Sequence, residues 1–232
     1  MDPQRPIAVV GDIHGRLDCL DALLGKLNSH AADATWIFAG DFIDRGDHSA
    51  EVLDRLFTLT QQRPEVICLL GNHEEMLLWF LDDPARHGPA WLRYGGLQTL
   101  ASFGVPLPAD PRSLTEVRDL LRSALPDAQL SWLRSLPRYW QSGNVAVVHA
   151  GADPTQPIDR QSGAALTWGH KAFRHLPRHD GIWVIHGHTP VADPVTKNGV
   201  ISIDTGAYAT GKLTAALVEN GSVVFLQTTT KS

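Results

Sequence analysis

The chain has 232 residues, 43% hydrophobic and 19% charged, with a net charge of -5, an ordinary balance for a globular protein with a sizeable core. No apolar run approaches the roughly 20 residues that span a bilayer, the opening MDPQRP lacks the basic-then-apolar pattern of a signal peptide, and net acidity argues against a general nucleic-acid surface. Cys19 and Cys68 sit in apolar contexts and read as buried thiols of a reducing compartment, so a cytoplasmic protein with no membrane or nucleic-acid partner is expected.

Strand-length apolar stretches open the chain: IAVV (7–10), TWIFA (35–39) and EVICLL (65–70), rich in β-branched residues and bounded by Gly, Pro or Asp. Helical periodicity fills the gaps. Leu17, Leu20, Leu23, Leu24 and Leu27 share one face; Val52, Leu53, Leu56 and Leu59 share another, in a helix that Ser49 is placed to cap. A third helix begins after GNHE with Met76, Leu77 and Phe80. This alternation predicts parallel strands joined by right-handed crossovers. From about Trp91 to Leu136 the pattern is mostly helical, interrupted by VPLPADPRS (105–113). Arginines gather between Arg112 and Arg138, as on a solvated helix face or, alternatively, a docking surface for an anionic substrate. VAVVHA (145–150), IWVI (182–185), VISI (200–203), LTAALV (213–218) and VVFL (223–226) complete the set of apolar stretches. The turns KNG and ENG suggest antiparallel pairing after Trp183. With no internal repeat and no clean linker, one domain over residues 1–232 is expected, carrying a helical insertion at about 89–136.

The chemistry lies in the loops at the ends of the core strands. GDIHG (11–15) brings Asp12 and His14; GDFIDRG (40–46) brings Asp41, Asp44 and Arg45; GNHE (71–74) brings Asn72, His73 and Glu74. HAG brings His149, and HGHT brings His186 and His188. Each has a bland explanation taken alone: a hydrogen-bonded turn for Asp12 and His14, a satisfied core histidine for His149. GNHE could be a helix start, with Asn72 capping and Glu74 near the positive dipole end. Five such loops together are not explained that way. At the carboxyl ends of parallel strands they meet in space, and buried carboxylates need a charge, a hydrogen bond or a metal beside them. The mixed oxygen and nitrogen donors suit divalent Mn, Fe or Zn better than Mg or Ca. One carboxylate can bridge two ions about 3.5–4 Å apart, the spacing used for in-line phosphoryl displacement.

GDIHG, GDFIDRG and GNHE, in that order and spacing, with HAG and GHT after them, resemble the phosphoprotein phosphatase family of calcineurin-like binuclear metallophosphoesterases. WLRYGGLQTLASFG (91–104) resembles the segment after GNHE in small bacterial serine/threonine phosphatases. The resemblance runs from Ile7 to about Ala207 and implies an α/β fold with a central β-sandwich of mixed sheets flanked by helices, the metals at one edge. It implies two divalent cations, Mn2+ foremost, with Fe, Zn, Ni or Mg as alternatives. Asp12 and His14 would hold the first, Asp41 would bridge both, and Asn72, His149 and His188 would hold the second. A hydroxide between the ions would attack phosphorus while His73 protonates the leaving oxygen as general acid. Asp44 would accept a hydrogen bond from His73 and favour its charged form; Arg45, with Asn72, would bind the phosphate. Within HGHT the resemblance selects His188 as the ligand and leaves His186 behind it. Asp204, in IDTG, is a candidate to orient a ligand histidine through its other ring N–H.

Two positions depart from the family pattern. Leu70 precedes GNHE where a basic residue is common, and His170, in LTWGHKAFRHL (166–176), stands where many relatives carry a second phosphate-clamping arginine, with Lys171 or Arg174 as substitutes. The leading functional reading is metal-dependent hydrolysis of phosphomonoesters, as a serine/threonine phosphatase acting on a phosphorylated protein or a small phosphoester. Symmetrical dinucleoside tetraphosphate hydrolysis comes second, because those hydrolases tend to lack the second Asp of GDxxDRG and to read GNHD. A metallonuclease comes third, disfavoured by the acidity and the 7% aromatic content.

Overall fold

The computed structural model describes residues 1–106 and 114–229; Arg112 and most of VPLPADPRS lie outside the described residues. The first half runs β1 (Ile7–Val10), α1 (Leu17–His30), β2 (Thr35–Phe38), α2 (Ser49–Gln62), β3 (Val66–Cys68) and α3 (Asn72–Asp82). Helices α4 (Pro84–Trp91), α5 (Leu97–Ser102), α6 (Leu114–Ala124) and α7 (Asp127–Ser135) come next, with a π-helical turn at Leu92–Gly96 between α4 and α5. The second half holds β4 (Tyr139–Ser142), β5 (Val145–Val148), α8 (Gly163–Trp168), β6 (Trp183–His186), β7 (Val195–Lys197) and β8 (Val200–Ser202). The chain closes with α9 (Ala207–Thr210), β9 (Thr214–Glu219) and β10 (Ser222–Gln227).

The strands form two five-stranded mixed sheets, ordered β10-β9-β1-β2-β3 and β4-β5-β6-β8-β7. In the first, β1, β2 and β3 are parallel, as the alternation with helices predicts, while β9 and β10 are antiparallel. In the second, β5, β6 and β8 are parallel, with β4 and β7 antiparallel at the edges. Antiparallel pairing after Trp183 therefore holds for β7–β8 and β9–β10 but not for β6–β8. The two hairpins turn on the predicted residues: Asn198 and Asn220 have φ of 52° and 48°, each followed by a glycine with positive φ, the conformation a tight hairpin needs.

Side-chain alternation along the strands explains the layering. Ile7, Val9 and Ile37 of the first sheet meet Val145, Val147, Ile185 and Ile201 of the second in one buried cluster, the filling of the sandwich. Ala8, Val10, Trp36 and Phe38 point the other way, under Leu20, Leu23 and Leu27 of α1 and Val52, Leu53 and Leu56 of α2. Full burial of such a side chain contributes roughly 1.5–3 kcal/mol. Ala146, Val148 and Val184 cover the outer face of the second sheet with Ile158, Leu166 and Phe173. Central strands buried on both faces read as unbroken apolar runs. Trp91, Leu100, Val117, Leu121 and Leu133, from the helices between α3 and β4, share the cluster of α1 and α2.

One cap differs from expectation. His48, not Ser49, precedes α2, and the Ser49 side chain makes no capping bond; its hydroxyl accepts the Asp44 backbone N–H at 3.0 Å. Both cysteines are buried. Among the described residues no helix is long and apolar enough to cross a membrane.

Candidate metal centre

The loops leaving β1, β2, β3, β5 and β6 converge on one rim, so the donors come from both sheets rather than from one. Asp12, His14, Asp41, Asn72 and His149 are buried there, and His188 is partly buried. Asp41 belongs to two donor clusters, with His14 and His73 in one and with His149 and His188 in the other; in each, the ligand atoms lie within 4.8 Å of one another. His14 Nε2 is 3.5 Å from Asp41 Oδ2, and His149 Nε2 is 3.3 Å from Oδ1. Asn72 Oδ1 lies 2.9 Å from His149 Nε2 and 2.8 Å from His188 Nδ1. The structure thus brings His14, Asp41, Asn72, His149 and His188 together. Asp12 stands outside both clusters, and its two oxygens accept the His188 backbone N–H at 3.0 Å.

The backbone here is held in conformations most residues avoid. His14, Asp41, Asp44, Arg45 and His188 have φ of 48°, 55°, 70°, 68° and 63°, five of the seven non-glycine residues with positive φ among those described. Each costs of order 1–2 kcal/mol and persists only where the surroundings enforce it. Close approach fixes the glycines as well. A Cβ on Gly187 would lie 2.0 Å from Asp12 Oδ1, and one on Gly40, whose φ is 107°, would lie 2.7 Å from the Gly71 backbone.

Much of the enforcement comes from Glu74. Its carboxylate, fully buried under the second loop, accepts the backbone N–H groups of Asp41 (2.9 Å), Phe42 (2.8 Å), Ile43 (3.3 Å) and Gly71 (3.0 Å). The sequence pattern accounts for Glu74 only as an acid at the positive end of a helix and gives it no part in holding GDFIDRG. Burial first, then the charge of Asp41, pushes its pKa up to about 7.

Beside the donors, His73 Nδ1–H donates to Asp44 Oδ2 at 2.6 Å, as expected from the sequence, and its Nε2 lies 3.2 Å from an Arg45 nitrogen. Asp44 also accepts the Thr99 hydroxyl at 2.6 Å and the Trp91 indole N–H at 3.0 Å. Burial opposes charge on His73, but Asp41 and Asp44 outweigh it and hold its pKa above the ordinary value. Burial raises Asp44, against the hydrogen bond from His73. Arg45 donates its backbone N–H to the Gly95 carbonyl in the π-helical turn, and its guanidinium lies 4.7 Å from the Tyr208 ring centroid. Trp91, Gly95 and Thr99 lie in the WLRYGGLQTLASFG segment, whose resemblance to small bacterial phosphatases gives them no role at the site, and Tyr208 lies in no motif. Trp91→Phe is expected to lower folding stability by about 2 kcal/mol, since it strips a donor from a buried carboxylate and opens space in the core. A urea midpoint equal to the parent's would show that Asp44 does not depend on the indole.

The donor chemistry fits divalent transition metals: imidazole nitrogens and carboxylates pooled in a buried, anionic pocket. His14 Nδ1 contacts the Ile43 carbonyl at 2.8 Å and His149 Nδ1 the Ala39 carbonyl at 3.0 Å, which puts a proton on each Nδ1 and turns each Nε2 toward Asp41. Burial lowers His14 to about 3 and His188 to about 4, keeping both neutral. Burial opposes charge on His149 too, but Asp41 outweighs it and lifts the pKa to about 10, so a cation there competes with a proton. Burial, then the charge of Asp204, raises Asp12 well above the carboxylate range.

Asp204 does not take the orienting role. It accepts the Gly206 backbone N–H at 2.8 Å, while main-chain carbonyls orient His14 and His149. His186, the histidine passed over, is fully buried, with Nδ1 2.8 Å from the Gly187 carbonyl and Nε2 2.7 Å from the Ser202 hydroxyl. His170, with its Nε2 4.0 Å from Asp153, lines a cleft that includes His188 together with the exposed Lys171 and Arg174.

A sandwich of mixed sheets whose strand ends pool aspartates and histidines around one shared carboxylate defines the class of metallophosphoesterases. The chain belongs to the calcineurin-like phosphoesterase family, which it matches over residues 5–192. It is 30% identical to the asymmetrical bis(5'-nucleosyl)-tetraphosphatase PrpE of Bacillus velezensis over 89% of this chain and 86% of that protein. Among solved structures it resembles a protein provisionally described as a diadenosine tetraphosphatase, with a TM-score of 0.67, 23% identity and coverage of 96% of this chain and 93% of that one. It also resembles the cold-active protein-tyrosine phosphatase of a Shewanella species, with a TM-score of 0.69, 19% identity and coverage of 95% and 77%.

Proposed function

We propose that the chain hydrolyses bis(5'-nucleosyl) tetraphosphates at a two-cation centre held by Asp12, His14, Asp41, Asn72, His149 and His188. The observation that carries this reading is the similarity to the Bacillus velezensis tetraphosphatase along nearly the whole of both chains. It reverses the order expected from the motifs. Asp44 and Glu74 favour a protein phosphatase as motif letters, yet one orients His73 and the other braces a loop, tasks that any phosphoryl transfer at this rim requires. The relative is named asymmetrical, whereas the motifs point to the symmetrical reaction as the alternative.

Bound cations would supply the positive charge that lowers the pKa of water and offsets charge on the phosphoryl oxygens. The remaining steps belong to side chains. Arg45 presents a planar fork to phosphate oxygens, and in turning to them it leaves His73 Nε2. The freed nitrogen carries a proton toward the leaving oxygen, while Asp44 holds the opposite side of the ring and stabilises the imidazolium.

One observation favours phosphomonoesters as a second reading. The 2.6 Å bond from His73 to Asp44 supports a charged acid, which matters most for a poor alkoxide leaving group. A panel of Mn-, Mg-, Zn- and Ni-reconstituted enzyme separates the two. Diadenosine tetraphosphate is expected to be cleaved with kcat/KM at least about 100-fold above phosphoserine and phosphothreonine peptides, a margin near the specificity ratios that pocket contacts commonly supply. The reverse order would return the chain to the protein phosphatases.

A further inference from the structure

We propose that the cleft beside His188 is a nucleotide subsite, in which the base of the substrate's distal nucleotide lies against Trp168 and its phosphates lie along Lys171 and Arg174. This rests on the dinucleoside tetraphosphate reading and says which part of the surface holds the half of the substrate away from the metal centre.

The first support is position. A cleft of about 310 Å³ runs between Trp168–His175 on one side and His188–Thr189 on the other, so one of the proposed metal ligands forms part of its wall. A second cleft of about 310 Å³ lies between the continuations of the same two walls, sharing Phe173 to His175. Each is within the range of about 300–1,000 Å³ that holds small ligands.

Charge is the second. The chain carries a net charge of -5, yet neither cleft has a carboxylate in its lining, while Lys171, Arg174 and Lys197 all face in. Lys171 and Arg174 make no hydrogen bond or ion pair among the described residues, whereas most arginines elsewhere on the surface are engaged, such as Arg55 with Asp21 and Arg134 with Asp82. Unpaired cations beside a phosphoryl-transfer centre are matched by a run of phosphates. They stand beside His170, which lines the same cleft with its Nε2 4.0 Å from Asp153.

The third is an exposed, rigid aromatic face. Trp168 stacks on Trp79 with ring centroids 5.6 Å apart and planes within 4°, and both remain 38% exposed. The Trp168 indole N–H donates to Glu75, which accepts from Arg138 at 2.6 Å, and Arg138 also donates to the Thr167 hydroxyl at 2.7 Å. Ordinary packing accounts for the stacking but not for anchoring a partly exposed indole in the wall of a cationic cleft. A nucleobase stacked on such a ring gains about 1–3 kcal/mol whatever its identity.

The test compares the parent with Trp168→Leu, Trp168→Phe and the surface double variant Lys171→Ala/Arg174→Ala. Substrates are diadenosine tetraphosphate and p-nitrophenyl phosphate, which has no distal nucleotide. Trp168→Leu and the double variant are each expected to raise KM for the dinucleotide about tenfold, with at least a fivefold smaller effect on the small ester. Trp168→Phe, which keeps a stacking ring, is expected to recover most of the loss. A parent enzyme that cleaves the dinucleotide, alongside variants with the parent's KM or with equal losses on both substrates, would overturn the subsite alone. A parent that ignores the dinucleotide and cleaves phosphopeptides would overturn the functional reading, and the subsite with it.

Discussion

Replacing His73 by Asn is expected to lower kcat on an alkyl phosphomonoester by about 10²–10⁴, the usual contribution of a positioned general acid. His73 lies in the cluster of His14 and Asp41, but its Nδ1 is held by the Asp44 carboxylate at 2.6 Å and the proposed ligand set does not include it, so the variant is expected to bind metal as the parent does. The loss depends on the leaving group. An alkoxide must be protonated as it departs, while p-nitrophenolate leaves unaided. A nucleoside polyphosphate lies near the second, because a terminal phosphate group has a pKa of only about 6. The expected order of damage is therefore alkyl phosphate first, then diadenosine tetraphosphate and p-nitrophenyl phosphate, read from single-turnover rates with metal content measured in parallel. Equal losses on all three would remove His73 from proton transfer and leave it a positioning role.

Glu74→Ala is expected to cost more than the loss of any predicted ligand. Four buried backbone N–H groups end on that carboxylate, and a buried donor left without a partner costs about 1–3 kcal/mol. Even allowing for relaxation, several kcal/mol of stability should disappear, a large share of the roughly 5–15 kcal/mol that holds a domain folded. The strained φ at Asp41 loses its main support in the same stroke, so activity should vanish before the fold does. Glu74→Gln keeps one acceptor oxygen and turns an amide against the other donors, and is expected to lie between. A Glu74→Ala protein with the parent's urea midpoint and metal stoichiometry would show that the loop is braced from elsewhere.

The donors are legible in the sequence because each motif is a short polar interruption between apolar elements, punctuated by glycines with nowhere else to be. Their meeting at one rim comes from strand polarity. The division into two sheets cannot be read from periodicity: β1 and β5 are buried on both faces and look alike as strings. Edge strands are the least visible elements. β4 (YWQS) alternates exposed and half-buried residues and β7 (VTK) is exposed throughout, and both join their sheets through backbone bonds that any sequence can make. Backbone chemistry also hides the partners of His14 and His149, because every residue supplies a carbonyl, whereas Asp204 offers a visible but mistaken candidate. Trp91 and Thr99 look like ordinary residues of a helical segment until their polar atoms are found on Asp44.

Asp41 is shared between a histidine from its own sheet and histidines from the opposite one. Ions seated there would fasten the two halves of the sandwich at this edge, while at the opposite end the segment before β1 is tied across by the Asp2 N–H on Asn144 Oδ1 at 2.7 Å and the Gln4 N–H on Ser142 Oγ at 2.9 Å. With such ions bound, the molecule would draw heat tolerance from its mineral supply as well as from its sequence, since what binds only the folded chain favours it by mass action. Starved of metal, it would part along the seam where it works.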